Sequence, residues 1–191
     1  MGGRHPSSLL LLVCAVAGAL MLAALTVARP ATPAVPVLTL APAGEPGQRL
    51  IVSGRVVGRS GEPIAGARLH VYHTDSTGQY TRERAMDEPH ARLSGWITCD
   101  AAGRFELRSI RPGGYQRALR LGDRDRHIPA HIHMDVDASG HASHRFQVMF
   151  ADDSLLTDPY WQDWVKKLHQ PVLQGKHEGG VWRAELRLVL E

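Results

Sequence analysis

Pro112-Gly113-Gly114-Tyr115, with Pro129-Ala130-His131-Ile132-His133 beginning fourteen residues after that tyrosine, is the part of the chain whose reading decides the rest. If the second piece is a strand, side chains at i and i+2 share a face, so both imidazoles project together while Ile132 turns to the opposite layer. A Pro-Gly-Gly turn would deliver Tyr115 as an oxygen donor. Two imidazole nitrogens and a phenol oxygen on a β-scaffold suit a transition metal better than an alkaline-earth ion. A bare His-x-His pair is as readily two surface histidines. It is the combination with the glycine-positioned tyrosine, the preceding Pro-Ala and the polar Gln147 on the next strand that singles out a metal site.

Outward from this stretch the pattern has a period of two. Downstream, Phe146, Val148 and Phe150 share a face with Arg145, Gln147 and Met149 opposite, and Trp182, Ala184, Leu186, Leu188 and Leu190 alternate with Arg183, Glu185 and Arg187. Upstream, Leu50, Val52 and Val56 mark a first strand, and Ala67, Leu69 and Val71 face away from Arg68, His70 and Tyr72 in a second. Such alternation belongs to half-buried strands. Trp96-Ile97-Thr98-Cys99, the turn Asp100-Ala101-Ala102-Gly103 and the run from Arg104 to Arg108 predict a hairpin. Residues 81–94 carry charge, Pro89 and no sustained period, which predicts a loop folded over one end of the sheets. Trp161, Trp164, Val165 and Leu168 recur at i, i+3, i+4 and i+7, predicting a helix after Asp158-Pro159. The fold class is therefore all-β, a β-sandwich with one short covering helix.

The chain has 191 residues, enough for one sizeable core after a leader is set aside. Its 22 Lys+Arg against 19 Asp+Glu give a net charge of +3, and the arginines alternate with apolar residues instead of forming a run, so no nucleic-acid partner is implied. Arg117, Arg120, Arg124 and Arg126 lie between Tyr115 and the histidine strand; they either line the entrance for an anionic substrate or are ordinary solvated loop residues. Of two cysteines, Cys14 sits in the apolar leader, which leaves Cys99 alone and excludes an internal disulfide framework. Cys99 is expected as a small buried residue.

Arg4 and His5 precede residues 9–28, twenty residues without charge. Residues 1–28 read as a signal peptide or a membrane anchor: the run reaches the ~20 residues that span a bilayer, while Thr26-Val27-Ala28 and Thr32-Pro33-Ala34 are tolerable cleavage sites. Both options stay open, and either makes the protein exported, membrane-anchored or secreted/periplasmic. Residues 29–47 are rich in Pro, Ala and Gly and are expected as an extended linker, with the folded domain over residues 48–191.

Five runs carry a resemblance. Gly61-Glu62-Pro63-Ile64-Ala65-Gly66-Ala67, Tyr72-His73-Thr74-Asp75-Ser76-Thr77-Gly78-Gln79-Tyr80, Thr98-Cys99-Asp100-Ala101-Ala102-Gly103-Arg104-Phe105, Arg108-Ser109-Ile110-Arg111-Pro112-Gly113-Gly114-Tyr115 and Pro129-Ala130-His131-Ile132-His133 succeed one another as do the motifs of the intradiol ring-cleavage dioxygenases, the superfamily of protocatechuate 3,4-dioxygenase and catechol 1,2-dioxygenase. The resemblance implies a β-sandwich that holds non-haem Fe(III) through two tyrosines and two histidines and opens a catecholic ring with O2. Carried over by motif, Tyr115 resembles the tyrosinate that leaves when the catecholate chelates iron. His133 resembles its trans partner, His131 the equatorial histidine, and Gln147 the glutamine beside the reacting ring.

The chain departs from the family pattern in two places. The other tyrosine ligand should fall in the loop before Trp96, which has no tyrosine after Tyr80; His90 lies near the expected place and is the candidate fourth ligand. An imidazole there in place of a phenolate favours Fe(III) less and admits Fe(II), Cu(II) or Zn(II). Ile128 stands where the resemblance implies an arginine that stabilises charge on the substrate, and Arg126, two residues away, is the candidate replacement. The expected function is a non-haem iron-dependent dioxygenase with a small aromatic substrate and O2 as partners and the membrane reached through the N-terminal segment; a homo-oligomer, usual in the family, stays open because the chain has no obvious long pairing helix. The alternative is a catalytically silent metal- or ligand-binding β-sandwich derived from that fold. A metal-dependent hydrolase would need Asp135, one pleat beyond the histidines, as its base.

Overall fold

A computed structural model of the chain describes residues 34–81, 90–117 and 126–191. The expected leader, residues 1–28, lies outside them. Among the described residues no helix is long and apolar enough to cross a membrane.

The described residues form twelve strands and one α-helix. In chain order they are β1 (Val37–Thr39), β2 (Arg49–Gly58), β3 (Arg68–His73), β4 (Leu93–Thr98), β5 (Arg104–Ile110), β6 (Tyr115–Arg117), β7 (Arg126–Ile128), β8 (His131–Asp137), β9 (His144–Phe150), α1 (Pro159–Lys167), β10 (Val172–Leu173), β11 (Gly175–Glu178) and β12 (Val181–Leu190). One sheet runs β1-β5-β2-β12-β11 and the other β10-β9-β8-β3-β4, while β6 and β7 form a small ribbon. Side chains from both five-stranded sheets share one core, with Val52, Leu107, Trp182 and Leu188 from the first and Leu69, Val71, Ile132, Met134, Val148 and Phe150 from the second. This is the sandwich that the period-two pattern predicts.

The alternation is cleanest in β12, where Trp182, Ala184, Leu186, Leu188 and Leu190 are buried and Arg183, Glu185, Arg187 and Val189 exposed. It lies parallel to β2 over nine residue pairs, from Trp182 opposite Leu50 to Leu190 opposite Gly58. In the second sheet the odd-numbered residues of β8 and β9 point away from the core. His131 and His133 therefore project from the outer face, and loops bury them from that side.

Two local expectations are corrected. Residues 96–108 do not make a hairpin, because β4 pairs with β3 in one sheet and β5 pairs with β2 in the other. The turn between them is an arch across the sandwich: Asp100 accepts hydrogen bonds from the amides of Ala102 and Arg104, and Val56 N–H donates to the carbonyl of Gly103. Alternation fixes which face a strand buries, not which sheet it joins. The Pro/Ala-rich segment also enters the fold earlier than a spacer would. Val37–Thr39 adds a parallel edge strand to β5, and Ala41 is buried against Leu93 and Ile110.

The helix forms as its sequence signals suggest. Asp158 caps it, its carboxylate accepting from the amide of Tyr160, and Pro159 occupies the first turn, where its missing N–H costs nothing. Trp161 is its buried anchor, whereas Leu168 is exposed. Cys99 is buried as expected, and burial pushes its thiol up to about 12, which leaves it inert.

Candidate metal centre

His131 and His133 are held on β8 by neighbours on every side. Before the strand, the carboxylate of Asp153 accepts from the amide of Ala130 and also from that of Leu155, which fixes the Pro129-Ala130 entry. His131 Nδ1 lies 2.8 Å from the carbonyl oxygen of Pro129. A carbonyl only accepts, so this nitrogen carries the proton and Nε2 presents its lone pair. His133 is paired across the sheet with Tyr72 on one side and Gln147 on the other. The Tyr72 ring stacks on it at 4.5 Å and 8°, which sets the imidazole plane.

The tyrosines arrive on two loops. Tyr115 begins β6, directly after Pro112-Gly113-Gly114, and Tyr80 lies on the loop that leaves β3. The loops are bonded to each other: Gly113 N–H donates to the carbonyl of Asp75, and the Thr74 hydroxyl donates to the carbonyl of Gly113, both at 2.8 Å. Asp75 braces its own loop by accepting from the amides of Thr77 and Gln79. Glycine is required at the crossing, since a Cβ on Gly113 would lie 2.6 Å from the carbonyl oxygen of Ser76 and one on Gly78, at φ 86°, would run into the carbonyl of Gly114.

These elements bring four donor atoms together. Tyr80 Oη is 3.0 Å from His133 Nε2 and 3.4 Å from Tyr115 Oη, and His131 Nε2 is 3.0 Å from His133 Nε2. Donors bound to one transition-metal ion at ~2.0–2.2 Å stand about 2.9–3.4 Å apart, so the spacing fits a shared cation. The chemistry of the set fits as well. With His131 Nδ1–H committed to Pro129, two ring nitrogens face each other across 3.0 Å, an arrangement that a proton or a metal ion between them relieves. Burial, helped by the nearby His131, Arg145, His73 and Arg117, pushes His133 down to about 2 and keeps it neutral, the state in which imidazole binds metal.

Of the residues singled out from sequence, Tyr115, His131 and His133 are in this cluster, and Gln147 flanks it at the level of His133. Two expectations are corrected. His90 is exposed, and among the described residues no group of three or more His, Cys, Asp or Glu converges as a metal site. The further oxygen donor beside His133 is Tyr80, which is only 1% exposed. The signal was in the sequence: Tyr80 closes the run Thr77-Gly78-Gln79-Tyr80, whose glycine makes the loop approach possible. Arg126 is the other correction. It is exposed, and its guanidinium lies over the Tyr160 ring at 4.1 Å, so it does not reach the donors. Ile128 is buried opposite Tyr115 in the ribbon. Arg117 alternates with Tyr115 on β6 and therefore shares its face, and its charge is felt at His133. Asp135 is engaged by Arg145 through two hydrogen bonds and is no candidate base.

With this geometry in place, comparison with known proteins is decisive at the level of family. A family model described as Dioxygenase matches residues 28–182. The chain belongs to the intradiol ring-cleavage dioxygenase superfamily. It is 36% identical to catechol 1,2-dioxygenase 2 of Acinetobacter lwoffii over 130 residues, covering 63% of this chain and 45% of that protein. It is 30% identical to chlorocatechol 1,2-dioxygenase of Rhodococcus opacus over 150 residues, covering 74% of this chain and 58% of the relative. The chain thus spans about half the length of the curated relatives it matches. Among solved structures, catechol 1,2-dioxygenase from Acinetobacter sp. ADP1 superposes with a TM-score of 0.65 at 22% identity, over 81% of this chain and 56% of that one, which shows the shared fold. The dioxygenase domain of a dioxygenase carbohydrate-binding protein fusion from Streptomyces sp. SirexAA-E gives a TM-score of 0.60 at 26% identity and is covered over 91% of its length, against 84% of this chain.

Proposed function

We propose that this chain is an intradiol-type dioxygenase that opens an aromatic diol with O2, and that Tyr80, Tyr115, His131 and His133 hold its non-haem ferric ion. The observation that carries the reading is the convergence of two phenol oxygens and two imidazole nitrogens at 3.0–3.4 Å. Ferric iron in such a set supplies a Lewis acid for the doubly deprotonated diol and draws electron density from the ring toward its reaction with O2.

The two phenols have different duties. Tyr80 is buried and bonded to His133, so it is the permanent donor. Tyr115 is half-buried at the start of a short ribbon, and its Oη is the atom that receives a proton from an incoming hydroxyl. Ile128 gives the ring an apolar wall beside Tyr115. Arg117, not Arg126, supplies positive charge on the phenol face, where a diolate would sit. Gln147, level with His133, borders the same space. The uncharged residues 9–28 support an exported protein.

The buried Ile128 and the outward-turned Arg126 favour a second reading, a metal-binding sandwich without ring-opening activity. The test is oxygen uptake by the ferric-loaded chain with catechol and with a carboxylated catechol. Uptake that Tyr115→Phe abolishes supports the dioxygenase. Stoichiometric iron with a visible charge-transfer band and no uptake on either diol selects the silent module.

A further inference from the structure

His73 ends β3 and is fully buried, next to Ser109 near the end of β5 in the opposite sheet. Its Nε2 is 2.7 Å from Ser109 Oγ, and its Nδ1 is 2.6 Å from the carbonyl oxygen of Thr74. The carbonyl requires a proton on Nδ1, so Nε2 accepts from the serine hydroxyl. Burial, opposed by the bond to Thr74, drives the ring down to about 4, and this neutral tautomer persists at physiological pH. A serine–histidine pair is also the beginning of a nucleophilic dyad. Here both members are enclosed and the outer nitrogen meets a backbone carbonyl, so no substrate reaches the hydroxyl and no carboxylate orients the base.

The pair sits at the root of the two tyrosine loops. His73 precedes Tyr80 by seven residues and Ser109 precedes Tyr115 by six. Beyond it come the bonds from Thr74 to Gly113 and from Gly113 to Asp75, and then the two phenols at 3.4 Å. The His73–Ser109 bond joins one sheet to the other at this end of the sandwich, beside the packing of Leu93 on Ile110, and the contacts between the two loops lie directly beyond it.

We infer that His73 is a positioning residue: bonded to Ser109 and to the Thr74 carbonyl, it sets the relative placement of the Tyr80 and Tyr115 phenols. This rests on the reading of those phenols as ligands of one metal ion. His73→Asn retains a donor for Thr74 but falls short of Ser109, Ser109→Ala removes only the inter-sheet bond, and His73→Gln reaches Ser109 again.

The full chain and these variants are compared in two ways. With ferric ion, His73→Asn and Ser109→Ala are expected to shift the tyrosinate charge-transfer band and weaken binding by roughly 10–100-fold, the usual effect of a partner outside the ligand set, with His73→Gln recovering part of both. Without metal, fluorine NMR of fluorotyrosine-labelled protein is expected to show the Tyr80 and Tyr115 resonances moving while that of the surface residue Tyr160 stays. Variants that lose thermal stability but keep the band, the affinity and both resonances would overturn the inference and leave His73 as packing alone. Unaltered protein that binds no ferric ion, with the fluorine shifts as expected, would sink the metal reading and leave the positioning role standing.

Discussion

The two halves of the site are built on opposite principles. The histidine half is local: one strand with alternating side chains places both imidazoles, and Asp153, Pro129 and Tyr72 only trim their orientation. The tyrosine half is non-local. Two loops from opposite sheets meet through backbone bonds, glycines without side chains and a buried His73–Ser109 pair. A strand tolerates change in what surrounds it, while a loop crossing depends on every contact. The histidines should therefore fail only when they are themselves removed, and the tyrosines should fail when the crossing is disturbed.

The largest effect is expected from His131→Ala or His133→Ala, each of which removes a donor from the rigid half. Metal affinity measured by competition with a chelator should drop well beyond the roughly 10–100-fold typical of an outer partner, with the fold intact by circular dichroism. Tyr80→Phe should come next, weakening binding and altering the visible band, whereas His90→Ala should leave both unchanged. An inverted result would restore His90 to the site.

The crossing is tested by Gly113→Ala and Gly78→Ala. Each puts a Cβ against a carbonyl of the other loop, and a loss of about 2–4 kcal/mol is expected in denaturant unfolding, with the metal-loaded band disturbed. Ala in either place without loss of stability would mean that the loops do not meet as described.

The buried histidine gives the crossing a pH dependence. His73 is held near 4 against an ordinary value of 6.5, chiefly by burial, with His131 and Arg92 lowering it further and Asp75 raising it. The unfolded chain binds more protons than the folded one between these values, so stability is full above pH 6.5 and is lost as pH falls toward 4, on the order of 3 kcal/mol for this group. Unfolding of His73→Gln measured over the same range should show a shallower slope. The smallest effect is expected from Arg126→Gln, which loses a surface cation–π contact of about 0.5–1 kcal/mol and leaves the metal band untouched.

The same contrast explains what the sequence disclosed. Period-two alternation identifies the sandwich, the core faces and the His-x-His pair, because each is decided within a few residues. It does not reveal that β4 and β5 belong to different sheets, since the turn Asp100-Ala101-Ala102-Gly103 serves a hairpin and an arch equally well. Nor does it reveal Tyr80, because the meeting of two loops 35 residues apart leaves no local pattern beyond Gly78 and Gly113. Arg126 escapes for a related reason: nearness in sequence to the histidines says nothing of Tyr160, to which it turns.

One measurement bears on the central claim most directly: the visible spectrum of the ferric-loaded full chain beside Tyr80→Phe, Tyr115→Phe and the double variant. Two phenols on one ion predict a tyrosinate-to-iron band that each single change weakens or shifts and the double change abolishes. A band insensitive to Tyr80→Phe, or no band in the unaltered protein, would contradict it.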